Sequence, residues 1–275
     1  MKKTPEPESL FECNAAENSD IGYKDIIENK DEEDEKKLIS YINDLWKMYH
    51  PYADKDFHQQ FQKDIHSRFW EMNLTCTFIE KSLPVKKKNK DEGPDILLEG
   101  KDFRIWVEAI APTSGDKNNI DRVHGFVNGK ATRIPNDKII LRYTQSIVDK
   151  SEKLNRYLSN EVALPSDAYV IAINSCKIEW AIVTSKPPLI LKALFPIGDR
   201  SLSINNETKQ IIDKGYSCRP TVERETGTRI STDLFMNRKY ENISGILFSR
   251  VGVFGLPSRV SFFDHRTLGE CYSNL

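Results

Sequence analysis

The stretch Gly93-Pro94-Asp95-Ile96-Leu97-Leu98-Glu99-Gly100-Lys101-Asp102-Phe103-Arg104-Ile105-Trp106-Val107-Glu108-Ala109-Ile110-Ala111 decides the fold expected of this chain. Asp95 to Leu98 is a short apolar run, Glu99 to Asp102 carries turn chemistry, and Phe103 to Ala111 is a second run. Four turn residues between two strand-like segments predict an antiparallel hairpin. Alternation along the second segment puts Ile105, Val107, Ala109 and Ala111 on one face and Trp106, Glu108 and Ile110 on the other. Both faces are apolar, and Glu108 is the one charge on them. Burying a lone carboxylate costs on the order of several kcal/mol, so Glu108 has to be protonated, paired with a cation or bound to a metal. Asp95 opens the partner strand directly after Gly-Pro, where glycine permits an unusual backbone and proline fixes the approach. If residues 99 to 102 form the turn, the two carboxylates converge on neighbouring strands. Close carboxylates repel unless a cation sits between them, and oxygen-only ligation suits Mg²⁺ or Mn²⁺. A salt bridge from Lys or Arg to Glu108, and a local turn role for Asp95, are the competing structural explanations.

Outward from the hairpin, helical periodicity starts near Glu35 with Leu38, Ile39, Ile42, Leu45, Trp46 and Tyr49, and Pro51 ends it. A second helix is expected from about Asp54 to Glu80, and its stretch Arg68 to Phe78 is apolar enough to be buried on more than one side. Residues 112 to 136 form a long loop, followed by a long helix to about Ser159. Tyr169 to Asn174 is a continuous apolar run, as in a strand covered on both faces. The sequence then predicts a short helix around Pro188 to Leu194, an irregular stretch to about Gly227 and a short helix around Thr232 to Arg238. Strands are expected at Ser244 to Ser249 and Arg259 to Phe263. The expected fold class is therefore α/β, a mixed central β-sheet flanked by helices.

The 275 residues suffice for one large domain, here residues 36–275 with a helical N-terminal part. Residues 1–35 are rich in Glu, Asp, Lys and Asn, and are expected as a disordered tail. The net charge of -1 gives no global case for nucleic-acid binding, which would need a local basic patch. Cys13, Cys76, Cys176, Cys218 and Cys271 form no CxxC pair, and the five histidines show no metal spacing. With no apolar leader or membrane-length segment, a cytoplasmic location is expected.

Gly-Pro-Asp95, a hairpin, then Trp-Val-Glu108-Ala-Ile110 resembles the core of the PD-(D/E)XK nuclease superfamily, over roughly Phe57 to Asn174. The resemblance implies a restriction-endonuclease-like core and a Mg²⁺-dependent phosphodiesterase in which Asp95 and Glu108 hold the metal. It implies a further acidic ligand at Glu71, on the helix before the hairpin. The family's lysine two residues after the second acid is replaced here by Ile110, which neither donates a hydrogen bond nor offsets charge. Lys150, at the border of the apolar stripe on the following helix, and Gln145, on the opposite border, are the candidate replacements. The alternative is a catalytically inactive module of the same fold that binds nucleic acid or a protein partner. Lys86, Lys87, Lys88 and Lys90 lie just before the carboxylates, and with Arg104, Arg133 and Arg142 they are the candidate contacts to a phosphate backbone.

Overall fold

The computed structural model describes residues 7–12, 15–88, 93–183 and 185–255. At its centre is a five-stranded sheet of β1 (Val85–Lys86), β2 (Ile96–Glu99), β3 (Arg104–Ile110), β4 (Ala168–Asn174) and a strand near the end of the described chain, Gly245–Ser249. They lie side by side in that order, β1, β2 and β3 antiparallel, β3, β4 and the last strand parallel. The expected mixed α/β architecture is what forms.

Helices precede and interrupt the sheet: α1 (Ile21–Glu28), α2 (Glu33–Tyr49), α3 (Phe57–Lys63), α4 (Ile65–Glu80), α5 (Asn136–Ser159) and α6 (Leu189–Leu194). α5 is the crossover that lets β3 and β4 run parallel. It covers the sheet face that carries Leu97, Trp106, Tyr169, Ile171 and Ile173, with Ile139, Ile140, Tyr143, Ile147 and Leu154 as its inward side. α4 covers the other face, where Trp70 and Leu74 meet Ile96, Leu98, Val107 and Ala172. The Trp70 indole N–H donates to the Ala172 carbonyl at 2.9 Å. The opposite side of α4, with Ile65, Phe69, Met72 and Cys76, joins a second core with α1 to α3. This helix is apolar nearly all round because it is buried on two sides.

The single helix expected over 54–80 is two helices. At Asp64 the backbone leaves the helical region (φ -150°, ψ 75°), and its carboxylate accepts the Ser67 N–H that opens α4. Lys177 closes on the same carboxylate at 2.8 Å. The periodicity runs through the break because both pieces bury their apolar residues in the same core.

The described part of residues 1–35 is not a free tail. Leu10, Tyr23 and Ile26 are wholly buried in the second core, Phe11 nearly so. The Tyr23 hydroxyl donates to the Leu10 carbonyl at 3.0 Å, and the Trp46 indole to the Glu8 carbonyl at 2.9 Å. Few apolar residues are present, but Leu10, Phe11, Tyr23 and Ile26 all enter one core, an arrangement that composition alone does not reveal. Leu10→Ala is expected to cost about 3 kcal/mol, a fully buried leucine lost from a packed core. A urea unfolding midpoint equal to that of the wild type would show the segment to be dispensable.

After α6, where irregular chain was expected, two hairpins form: β5 (Ile197–Ile204) with β6 (Ile211–Cys218), and β7 (Thr221–Glu223) with β8 (Arg229–Ser231). The segment expected as a helix over 232–238 is a pair of short 3-10 turns, Leu234–Met236 and Arg238–Tyr240. The Gly245–Ser249 strand, β9, then closes the sheet. The strand expected at 259–263 lies outside the described residues. Among the described residues no helix is long and apolar enough to cross a membrane.

Candidate functional site

β2 and β3 pair Ile96 with Val107, Leu97 with Trp106, Leu98 with Ile105 and Glu99 with Arg104. Continuing that register by one step sets Asp95 opposite Glu108, the spacing at which cross-strand side chains touch. The approach to Asp95 depends on Gly93, whose φ of +130° strains any L side chain and whose Cβ would lie 3.0 Å from Val162. Asp95 reaches across the strands, and its Oδ2 accepts the Ala109 N–H at 2.7 Å.

Glu108 has no solvent exposure. Its Oε1 accepts from Lys150 Nζ at 2.5 Å and from Lys153 Nζ at 2.7 Å. The Tyr157 hydroxyl lies 3.4 Å from Glu108 Oε2 and 3.1 Å from the Gly93 carbonyl oxygen, with one proton to give to either. Lys150, Lys153 and Tyr157 are three and four residues apart in succession, so one face of α5 is aimed at one carboxylate. The two ammonium groups keep partial access to solvent, Lys150 less than Lys153.

Glu71 is buried on α4. Its Oε1 accepts from the Tyr49 hydroxyl at 2.6 Å and its Oε2 from Arg68 at 2.7 Å. Burial, then the neighbouring Glu71 charge, hold the Tyr49 hydroxyl firmly protonated. Burial and the charge of Glu108 do the same for Tyr157.

Asp95 is the exception in this group. Among the described residues no cation pairs with it, and it retains a partly open side. Desolvation, then the charges of Glu108 and Glu71, push its carboxyl up to about 8, against the opposing pull of Lys150 and Lys153. The structure thus brings together Asp95, Glu108 and Lys150, with Glu71 near enough for its charge to act on Asp95. Sequence reasoning missed Lys153, Tyr157, Arg68 and Tyr49. Lys153, Tyr157 and Arg68 offered only helical spacing from a residue already singled out, three and seven from Lys150 and three from Glu71, which by itself does not mark a partner; Tyr49, on another helix, lacked even that.

The other candidates lie elsewhere. Gln145 donates to Asp149 at 2.7 Å and accepts from Arg224 at 3.4 Å, away from Glu108. Lys86 and Lys87 are exposed, Lys88 pairs with Asp54 at 3.3 Å, and Lys90 is outside the described residues. Arg104 is held by Glu99 and Asp167 and stacks over Trp106, while Arg133 is exposed. Arg142 donates to the Thr113 carbonyl at 2.8 Å.

Among the described residues no three His, Cys, Asp or Glu side chains stand ready as a metal-ligand set. The donors at Asp95 and Glu108 are the hard oxygens that Mg²⁺ takes. The charge of Glu108 is at present met by Lys150 and Lys153, so a cation would compete with those ammonium groups for Oε1 and would find Asp95 uncompensated. A scan against protein-family models, a search of curated proteins and a search of solved structures each found no match for the chain.

Proposed function

We propose that this chain is a divergent PD-(D/E)XK-type protein whose paired carboxylates act on phosphodiester bonds of nucleic acid with Mg²⁺ or Mn²⁺. One observation carries this: Asp95, which no cation pairs with among the described residues, faces Glu108 across a hairpin while Lys150 reaches Glu108 from the crossover helix. Further support comes from the order α4, β2, β3, α5, β4, which is the order the resemblance implies. Asp95 and Glu108 would hold the metal, with Glu71 as the third acid. When bound, such an ion lowers the pKa of a water and stabilises charge developing on the phosphate. Lys150 takes the place left by Ile110: its ammonium is held at the carboxylate by Glu108, where it offsets negative charge and orients a phosphate oxygen.

A specific feature favours the non-catalytic alternative, a binding module of the same fold. Glu108 already carries two ammonium partners, and Glu71 is occupied by Arg68 and Tyr49. The two are separated by titrating Mg²⁺ and Mn²⁺ calorimetrically into wild type and Asp95→Ala, then assaying cleavage of single- and double-stranded DNA and RNA. Catalysis predicts metal binding that the substitution abolishes, and cleavage that Lys150→Ala lowers by at least about a hundredfold, the scale of a lost electrostatic group. Nucleic-acid binding without cleavage in either metal would leave only the binding module.

A further inference from the structure

A cavity of about 180 Å³ opens beside the N-terminal half of α5, lined by Asn119, Asp121, Leu141, Arg142, Gln145 and Arg224. Two guanidinium groups face it against one carboxylate. Arg142 spends only its Nε, on the Thr113 carbonyl, so among the described residues its two Nη groups make no hydrogen bond. Arg224 is loosely held: it lies 3.4 Å from Gln145 Oε1 and 3.7 Å from Asp121 Oδ2. Gln145 is itself oriented by Asp149, and Asp121 by the Glu225 N–H at 2.9 Å. Asn119 uses its carbonyl oxygen on the Asp121 N–H at 2.9 Å, which leaves its amide donors for the cavity. A structural tie between loops would explain the Arg224–Asp121 contact. It does not explain a second guanidinium turned into the same space with its fork unspent.

We infer that this cavity binds a backbone phosphodiester of a nucleic-acid strand, as a positioning site for a strand that runs on to Asp95, Glu108 and Lys150. This rests on the function proposed above. Planar guanidinium forks match phosphate oxygens bidentately. Asp121 reduces the lining charge to one net positive, which suits the single negative charge of a diester better than the near-double charge of a free phosphate. Arg142 and Lys150 share one helix and stand eight residues apart, about 12 Å along its axis. At a rise of about 3.4 Å per nucleotide, that is roughly three to four nucleotides of a stacked strand.

The test is fluorescence anisotropy of a labelled single-stranded DNA of about 20 nucleotides, titrated with full-length protein in EDTA over a range of salt. EDTA keeps the result independent of metal binding and cleavage, so failure of the nuclease assignment and failure of this site are told apart. Arg142→Gln and Arg224→Gln are each expected to weaken binding about fivefold to tenfold and to flatten the salt slope by about 0.7. Lys37→Gln, an equal charge loss on the exposed face of α2, is expected to change neither, and millimolar inorganic phosphate to displace little DNA. Arg142→Lys and Arg224→Lys keep the charge without the fork. They are expected to retain the slope and lose part of the affinity, and they carry the test if a glutamine variant unfolds. Absence of binding by the wild type, variants that match Lys37→Gln, or full displacement by millimolar phosphate would overturn the inference.

Discussion

Asp95→Asn is expected to make the metal-free protein more stable than the wild type above about pH 8 and, on the function proposed above, to abolish divalent-cation binding and cleavage. Burial and the charges of Glu108 and Glu71 push the Asp95 carboxyl up to about 8 in the fold, against an ordinary value of 3.8. Between those values the folded state keeps a proton that the unfolded state has released. Stability from this group is therefore complete below about pH 4 and is lost as pH rises through about 8, on the order of a few kcal/mol in all. Asparagine does not titrate, and its side-chain oxygen can still accept the Ala109 N–H. The wild-type stability curve should fall across this window relative to that of the variant. Mg²⁺ should reverse the ranking, because a ligand that binds only the folded state stabilises by mass action and the variant lacks the site. Metal affinity should also climb with pH towards 8, since binding has to displace the Asp95 proton. Melting curves from acid to alkaline pH, with and without Mg²⁺, check all of this. Parallel pH profiles for the two proteins would mean that Asp95 is an ordinary turn aspartate.

Glu108→Ala is the second large effect, and it runs the other way. The substitution removes the shared counterion of Lys150 and Lys153 and a partner of Tyr157 from a position with no solvent exposure. Breaking a buried ion pair by deleting one side costs about 3–5 kcal/mol. The lower end applies here, because both lysine stems can swing their charged ends outward and Asp95 loses a repelling neighbour. Glu108→Gln should cost less, since it keeps the shape and one acceptor. A triple variant, Glu108→Leu with Lys150→Met and Lys153→Met, should recover most of the stability and none of the activity, as well-packed apolar residues commonly replace buried ionic clusters without loss. Urea unfolding measures the stability ranking. A Glu108→Ala protein as stable as the wild type would show that the lysines do not depend on this carboxylate.

The hairpin was legible because strand alternation leaves Glu108 as an isolated charge and the register then dictates Asp95. Lys150 was legible because a helical projection places it at the edge of the apolar stripe of α5. Lys153 carried no comparable signal: a lysine on the flank of an amphipathic helix is usually solvated, and only the tertiary approach of α5 to β3 gives it a partner. The β5–β6 ribbon was missed for a related reason. Its side chains are nearly all exposed, so no buried face imposes the alternation by which strands are recognised. Residues 9–26 were misjudged because Leu10, Phe11, Tyr23 and Ile26 are too few to stand out locally, and they gain their burial from a groove built by helices much later in the chain.

α4 is a party wall between two rooms, the N-terminal helical layer and the sheet, and a party wall cannot be removed from one side alone. Loosening the layer around Leu10 and Phe61 would slacken the helix that carries Glu71 and Arg68, and with it the charged cluster around Asp95 and Glu108 beyond. The chain's earliest described residues are thereby tied to the chemistry of its middle, and the whole is expected to melt in one step.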